Sequence, residues 1–197
     1  MRFALVALSF ALASTLARGA AAQEEGGPPR GSVALLAGYG MPVDHFKGDM
    51  SPYRFGLGMR AGVTFGCGGY LGGTFVKHVG TSRLGTREDG RSEYVAVVHD
   101  TYAGPELGWD FRRYRTLVRP FVGGGMLLTL GKTTVGGASH SEDRAWFFVA
   151  PGVLAALRFG ELFAGIDLRV PIVPAQPAKQ WALAGMLVVG MDLGAAR

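Results

Sequence analysis

YRFGLGMRAGVTF, residues 53–65, is the stretch that decides the fold. Its odd positions are Tyr53, Phe55, Leu57, Met59, Ala61, Val63 and Phe65. Its even positions are Arg54, Gly56, Gly58, Arg60, Gly62 and Thr64. A period of two sends these sets to opposite faces of a strand. One face is hydrocarbon throughout; the other is glycine, arginine and threonine. A helix would mix the two sets, and each interior glycine would cost it about 1 kcal/mol.

The same alternation recurs in seven other segments: 32–41, 70–79, 95–111, 117–131, 145–159, 162–171 and 181–193. In 32–41, Val33, Leu35, Ala37 and Tyr39 oppose Ala34, Gly38 and Gly40; in 181–193, Trp181, Leu183, Leu187, Val189, Met191 and Leu193 oppose Ala182, Gly190 and Asp192. Eight strands of about ten residues match what a tilted strand needs to cross a bilayer. The connections alternate as well. Those at 66–68, 112–116 and 160–161 are short, whereas those at 42–52, 80–94, 132–144 and 172–180 are longer and polar. Short turns on one side and long loops on the other predict an all-β, eight-stranded antiparallel up-and-down transmembrane barrel, with both termini on the short-turn, periplasmic side.

Composition agrees. The 197 residues include 32 glycines and are 48% hydrophobic, yet no apolar run, the N-terminal one included, reaches the roughly 20 residues of a membrane helix. Arg2 followed by FALVALSFALASTL and Ala20-Ala21-Ala22 reads as a secretory signal, residues 1–22. QEEGGPPRG, residues 23–31, reads as a periplasmic linker, leaving 32–194 for the barrel. The net charge of +5 drops by two when Arg2 and Arg18 leave, and no basic run points to nucleic acid. Cys67 is the single cysteine, which excludes an internal disulfide and a cysteine-based zinc site.

Outward aromatics are expected near strand ends: Tyr39, Tyr53, Phe55, Phe147 and Trp181 on the loop side, and Phe65, Trp109, Phe111 and Phe159 on the turn side. Two such sets predict the interfacial girdles of a membrane barrel. YAGPELGWDF (102–111), VRPFVGGGM (118–126) and FFVAPGVLAALRF (147–159) resemble the small OmpA-like, opacity-type outer-membrane β-barrels of the porin-like superfamily. The resemblance spans the mature chain and implies the barrel fold, a bacterial outer-membrane location and no catalytic residues. The ending Met191-Asp192-Leu193-Gly194-Ala195-Ala196-Arg197 departs from the terminal aromatic of many such proteins.

Strand parity sends Arg54, Arg60, Arg119, Arg158 and Arg169 inward, together with Asp100, Glu106, Asp110, Asp167 and Asp192. An eight-stranded barrel is just wide enough for side chains to fill, and charges held there must be paired. The expectation is a lumen network centred on Glu106 with Arg60 and Arg119. His78 also faces inward, His99 and His140 lie at or beyond the outer rim, and His45 is in the first loop. None of these has metal-ligand spacing; Ser139-His140-Ser141 lies in a loop of Gly and Ser that needs no catalytic explanation, and Asp100 beside His99 points to the opposite face. No metal, cofactor or catalytic group is expected. GVTFGCGGYLGG lacks the ending of a phosphate loop and reads as a hairpin carrying Cys67 in its turn. Pro105, Pro120 and Pro151 inside strands require bulges or missing ladder bonds on the lipid face.

The expected role is structural or surface-interacting, with the lumen largely plugged by salt bridges. The alternatives are a narrow pore for small polar solutes, an outer-membrane lipid-modifying enzyme, and a lipocalin-type soluble barrel, whose apolar face would have to point inward. The expected partners are outer-membrane lipids and lipopolysaccharide, the barrel-assembly machinery and a possible extracellular ligand held by the long loops. The expected state is a monomer.

Overall fold

The computed structural model describes residues 28–42, 53–86, 93–135, 138–174 and 181–194. The signal segment, most of the linker and His45 lie outside these. Among the described residues nine strands follow one another: β1 (Arg30–Pro42), β2 (Phe55–Thr64), β3 (Gly69–Thr86), β4 (Glu93–Trp109), β5 (Phe111–Arg113), β6 (Thr116–Val135), β7 (Ala138–Phe159), β8 (Leu162–Arg169) and β9 (Ala182–Leu193). Every pairing is antiparallel. β1 joins β2 and β9, and the β4–β6 pairing closes the sheet into a ring.

The ring has eight staves. β4 and β5 form one stave broken at Asp110, because Gly108↔Phe121 and Phe111↔Val118 keep the same register along β6. Closure leaves no edge around the ring itself. The alternation of residues 53–65 takes physical form along β2, where Leu57 and Met59 are exposed while Arg60 and Thr64 are buried. The outer surface is lined by exposed Leu35, Leu57, Met59, Leu107, Leu187 and Val189. The interior holds Leu36, Val76, Tyr102, Leu127, Leu154 and Met186 among the buried charges. That polarity is inside out for a soluble barrel, which would expose its charges.

The prolines sit where the ladder is interrupted. Pairing between β4 and β6 skips from Ala103↔Met126 to Glu106↔Gly123 without changing register, so Pro105 lies in a gap rather than a bulge. There the chains press together: a Cβ on Gly104 would lie 1.9 Å from the Gly124 carbonyl oxygen. Pro120 falls at the β4–β5 break, and the Pro151 carbonyl accepts a hydrogen bond from the Val170 N–H just beyond β8. The one register shift in the β3–β4 ladder is elsewhere, between Val79 and Ser82.

Two long connections are shorter than expected because their flanks stay paired. β3 and β4 remain laddered to Thr86↔Glu93, and β6 and β7 to Val135↔Ala138. Much of 80–94 and 132–144 is therefore strand. β3, β4, β6 and β7 rise beyond the other staves as a sheet wall on one side of the barrel mouth.

Candidate functional site: the charged lumen

The inward faces of the staves stack buried polar groups in three tiers. The middle tier joins opposite walls. Arg60 on β2 places Nε 2.7 Å from Glu106 Oε2 on β4, and Nη2 2.6 Å from Asp167 Oδ2 on β8. Arg169, also on β8, holds Asp167 through Nε at 2.7 Å and Glu106 through Nη1 at 3.2 Å. Two guanidinium groups and two carboxylates thus form a closed four-charge ring with no net charge. Thr74 accepts a further hydrogen bond from Arg60 Nε. The Phe121 ring lies 4.6 Å from the Arg60 guanidinium and 5.1 Å from that of Arg169, a cation–π contact on both. All four charged residues are almost wholly buried. Removed from water, each charge depends on this mutual pairing.

The tier nearest the short turns is built on Asp110, the residue that breaks the β4–β5 stave. Arg119 donates to it, Arg112 Nη2 lies 2.9 Å from its Oδ2, and the Thr64 hydroxyl donates to it at 2.8 Å. Asp192 completes the tier, 2.8 Å from Arg158 and 3.6 Å from Arg112. The Arg119 guanidinium stacks 3.5 Å from the Tyr70 ring centroid. Tyr70 in turn needs Gly62 and Gly72 beneath it: a Cβ on Gly72 would fall 2.1 Å from the Tyr70 hydroxyl.

The tier nearest the mouth is different in kind. His78 and Asp100 face each other directly across the β3–β4 ladder, both fully buried, without forming an ion pair. The His78 Nδ1 lies 3.2 Å from the Arg54 carbonyl. Aromatic rings enclose the pair: Tyr53 edge-on to His78 at 5.7 Å, Tyr102 at 5.8 Å, and Phe148 beside Tyr102 at 5.2 Å.

The structure revises four expectations drawn from parity. Arg54 is exposed rather than inward, because the chain bends there before β2 begins at Phe55. The same bend turns Tyr53 inward, so it lies over His78 and does not belong to the outward aromatics. Arg119 pairs with Asp110 rather than Glu106, because it occupies the ladder gap opposite Asp110, and Arg169 takes the place at Glu106. Arg112, assigned to a turn, joins the network. Its parity with Asp110, carried through the stave break, was the signal that could have found it. The remaining aromatics lie as follows: Tyr39, Phe55, Phe147 and Trp181 are exposed towards the mouth, and Phe65, Trp109 and Phe159 towards the short turns, while Phe111 is half-buried. Tyr39 and Phe55 are direct cross-strand partners. Cys67 is exposed in the β2–β3 turn. Among the described residues no group of three or more histidine, cysteine or acidic side chains could hold a metal, and Ser139, His140 and Ser141 are exposed on β7.

Against solved structures, the major outer membrane protein of Thermus thermophilus superposes with a TM-score of 0.51 at 14% identity, covering 83% of this chain and 98% of that one. The chain has the fold of the small outer-membrane β-barrels. Two further structures are similar at lower scores. The N-terminal β-barrel domain of Pseudomonas aeruginosa OprF gives a TM-score of 0.47 at 16% identity, over 82% of this chain and 96% of that one. Ail, the attachment invasion locus protein of Yersinia pestis, gives 0.48 at 16% identity, over 83% and 97%. No protein-family model matches the sequence, and no curated protein matches it. The small outer-membrane barrel fold of this chain is thus carried by a sequence that retains its pattern, not its residues.

Proposed function

We propose that this chain is a non-enzymatic outer-membrane barrel whose lumen is plugged by its own salt bridges, serving the envelope or its surface rather than solute traffic. The observation that carries this reading is the four-charge ring of Arg60, Glu106, Asp167 and Arg169, which ties β2, β4 and β8 together across the interior. Such a ring fills the narrow bore of an eight-stranded barrel and has little freedom to part for a solute, since each separated charge would lose several kcal/mol of compensation. The Phe121 ring packs on both guanidinium groups of this ring. In this reading the short turns and both termini are periplasmic, the sheet wall of β3, β4, β6 and β7 projects outside, and the barrel-assembly machinery inserts the chain as a monomer.

Membrane fractionation with a heat-dependent gel shift tests the location, and planar-bilayer recording tests the plug. The expected results are an outer-membrane fraction, no unitary conductance for the native protein, and current on Glu106→Ala. Conductance in the native protein would favour the narrow pore, and recovery in the soluble periplasm would overturn the barrel's membrane role.

A further inference from the structure

Among the described residues, cations stand on the apolar exterior along an arc near the mouth. Lys77 on β3 projects outward between Phe75 and Val79, exposed and paired across the ladders with Leu57 and Thr101. On the next stave, half-buried His99 is opposite Val79 on one side and Leu130 on the other. Lys132 on β6 is paired with Val97, one diagonal step from His99. Basic side chains therefore stand on three neighbouring staves, β3, β4 and β6, each one diagonal step of about 7–8 Å from the next. Asp143 on β7 lies diagonal to Lys132 but forms no ion pair with it, and neither lysine has an acidic partner among the described residues. The described outward positions of β1, β8 and β9, including Leu35, Ile166, Leu168, Leu187 and Val189, carry no such cation.

A cation set among Leu57, Phe75, Val79 and Leu130 has lost much of its water and needs a counter-charge supplied from the membrane. The series also lies at the level of the mouth-side aromatics: Phe55 pairs with Val79, one step from Lys77 on each strand. That is headgroup depth. We infer that the arc of Lys77, His99 and Lys132 is a docking site for the phosphate of an outer-leaflet glycolipid, held by the two lysines on either side of His99 while its acyl chains lie on the neighbouring apolar surface. This rests on the membrane reading above and deepens it by naming where the lipid is bound.

The test uses the mature chain refolded into phosphatidylcholine nanodiscs, with native mass spectrometry of added lipid A, its monophosphoryl form and inorganic phosphate. Bisphosphorylated lipid A is expected to bind, and Lys77→Ala/Lys132→Ala to bind at least tenfold more weakly. Arg113→Ala/Arg115→Ala, at the opposite end of the barrel, should bind as the native chain does. A heat-dependent gel shift shows that each variant is folded. Equal binding by native and Lys77→Ala/Lys132→Ala proteins would overturn the site. So would binding that ignores the phosphates, or inorganic phosphate abolishing lipid retention at equimolar concentration. A chain that fails to enter nanodiscs would overturn the membrane reading and this site together, whereas insertion without phosphate-dependent retention would overturn the site alone.

Discussion

Arg60 on β2 holds Asp167 on β8 from across the lumen, Nη2 to Oδ2 at 2.6 Å, while the same guanidinium holds Glu106 on β4. One side chain thereby fixes three staves that are far apart in sequence. Removing it strands two buried carboxylates with Arg169 as their single remaining cation.

Arg60→Ala is expected to destabilise the barrel by about 3–5 kcal/mol, the cost typical of breaking a buried pair from one side. Urea unfolding in lipid vesicles measures this. Arg144→Ala provides the contrast: its partner Glu142 is exposed on the sheet wall, and the loss should be at most about 1 kcal/mol. Equal effects would show that the lumen ring contributes no more than a surface pair.

Leu187 is exposed on the outer face of β9, in the middle of its stave. In a bilayer, Leu187→Arg should cost about 2–4 kcal/mol, because the guanidinium meets hydrocarbon. The same substitution on a water-facing surface would cost close to nothing. Vesicle unfolding of the variant therefore reads out directly what surrounds the apolar face.

Tyr114, in the β5–β6 turn, has a left-handed backbone with φ of 52° and is almost fully exposed. Its side chain has little burial to lose, and a non-glycine residue is strained there. Tyr114→Gly should leave stability unchanged or raise it by up to about 1 kcal/mol. A clear loss would mean that the ring makes contacts in the membrane interface that outweigh the backbone strain.

Cys67 reports orientation without any engineering. It is exposed in the short turn between β2 and β3. If that turn is periplasmic, a membrane-impermeant maleimide should label it only after the outer membrane is permeabilised. Labelling of intact cells would invert the orientation of the barrel.

The alternation at 53–65 and its seven counterparts determined the class of fold, the antiparallel order and the face on which charge would collect. A strand's period is two and each set of side chains must find its own solvent, so local sequence suffices for that much. It placed Arg60, Glu106, Asp110, Arg119, Asp167 and Arg169 inside. Parity says nothing, however, about height along the axis or about which walls meet across the lumen. Those follow from tilt and register once the ring closes. Tertiary structure alone therefore decided that Glu106 takes Arg169 rather than Arg119, and that Asp110 interrupts its stave to gather Arg112. Where the ladder itself bends, before Phe55, the period fails, and Tyr53 and Arg54 exchange the faces that sequence had assigned them.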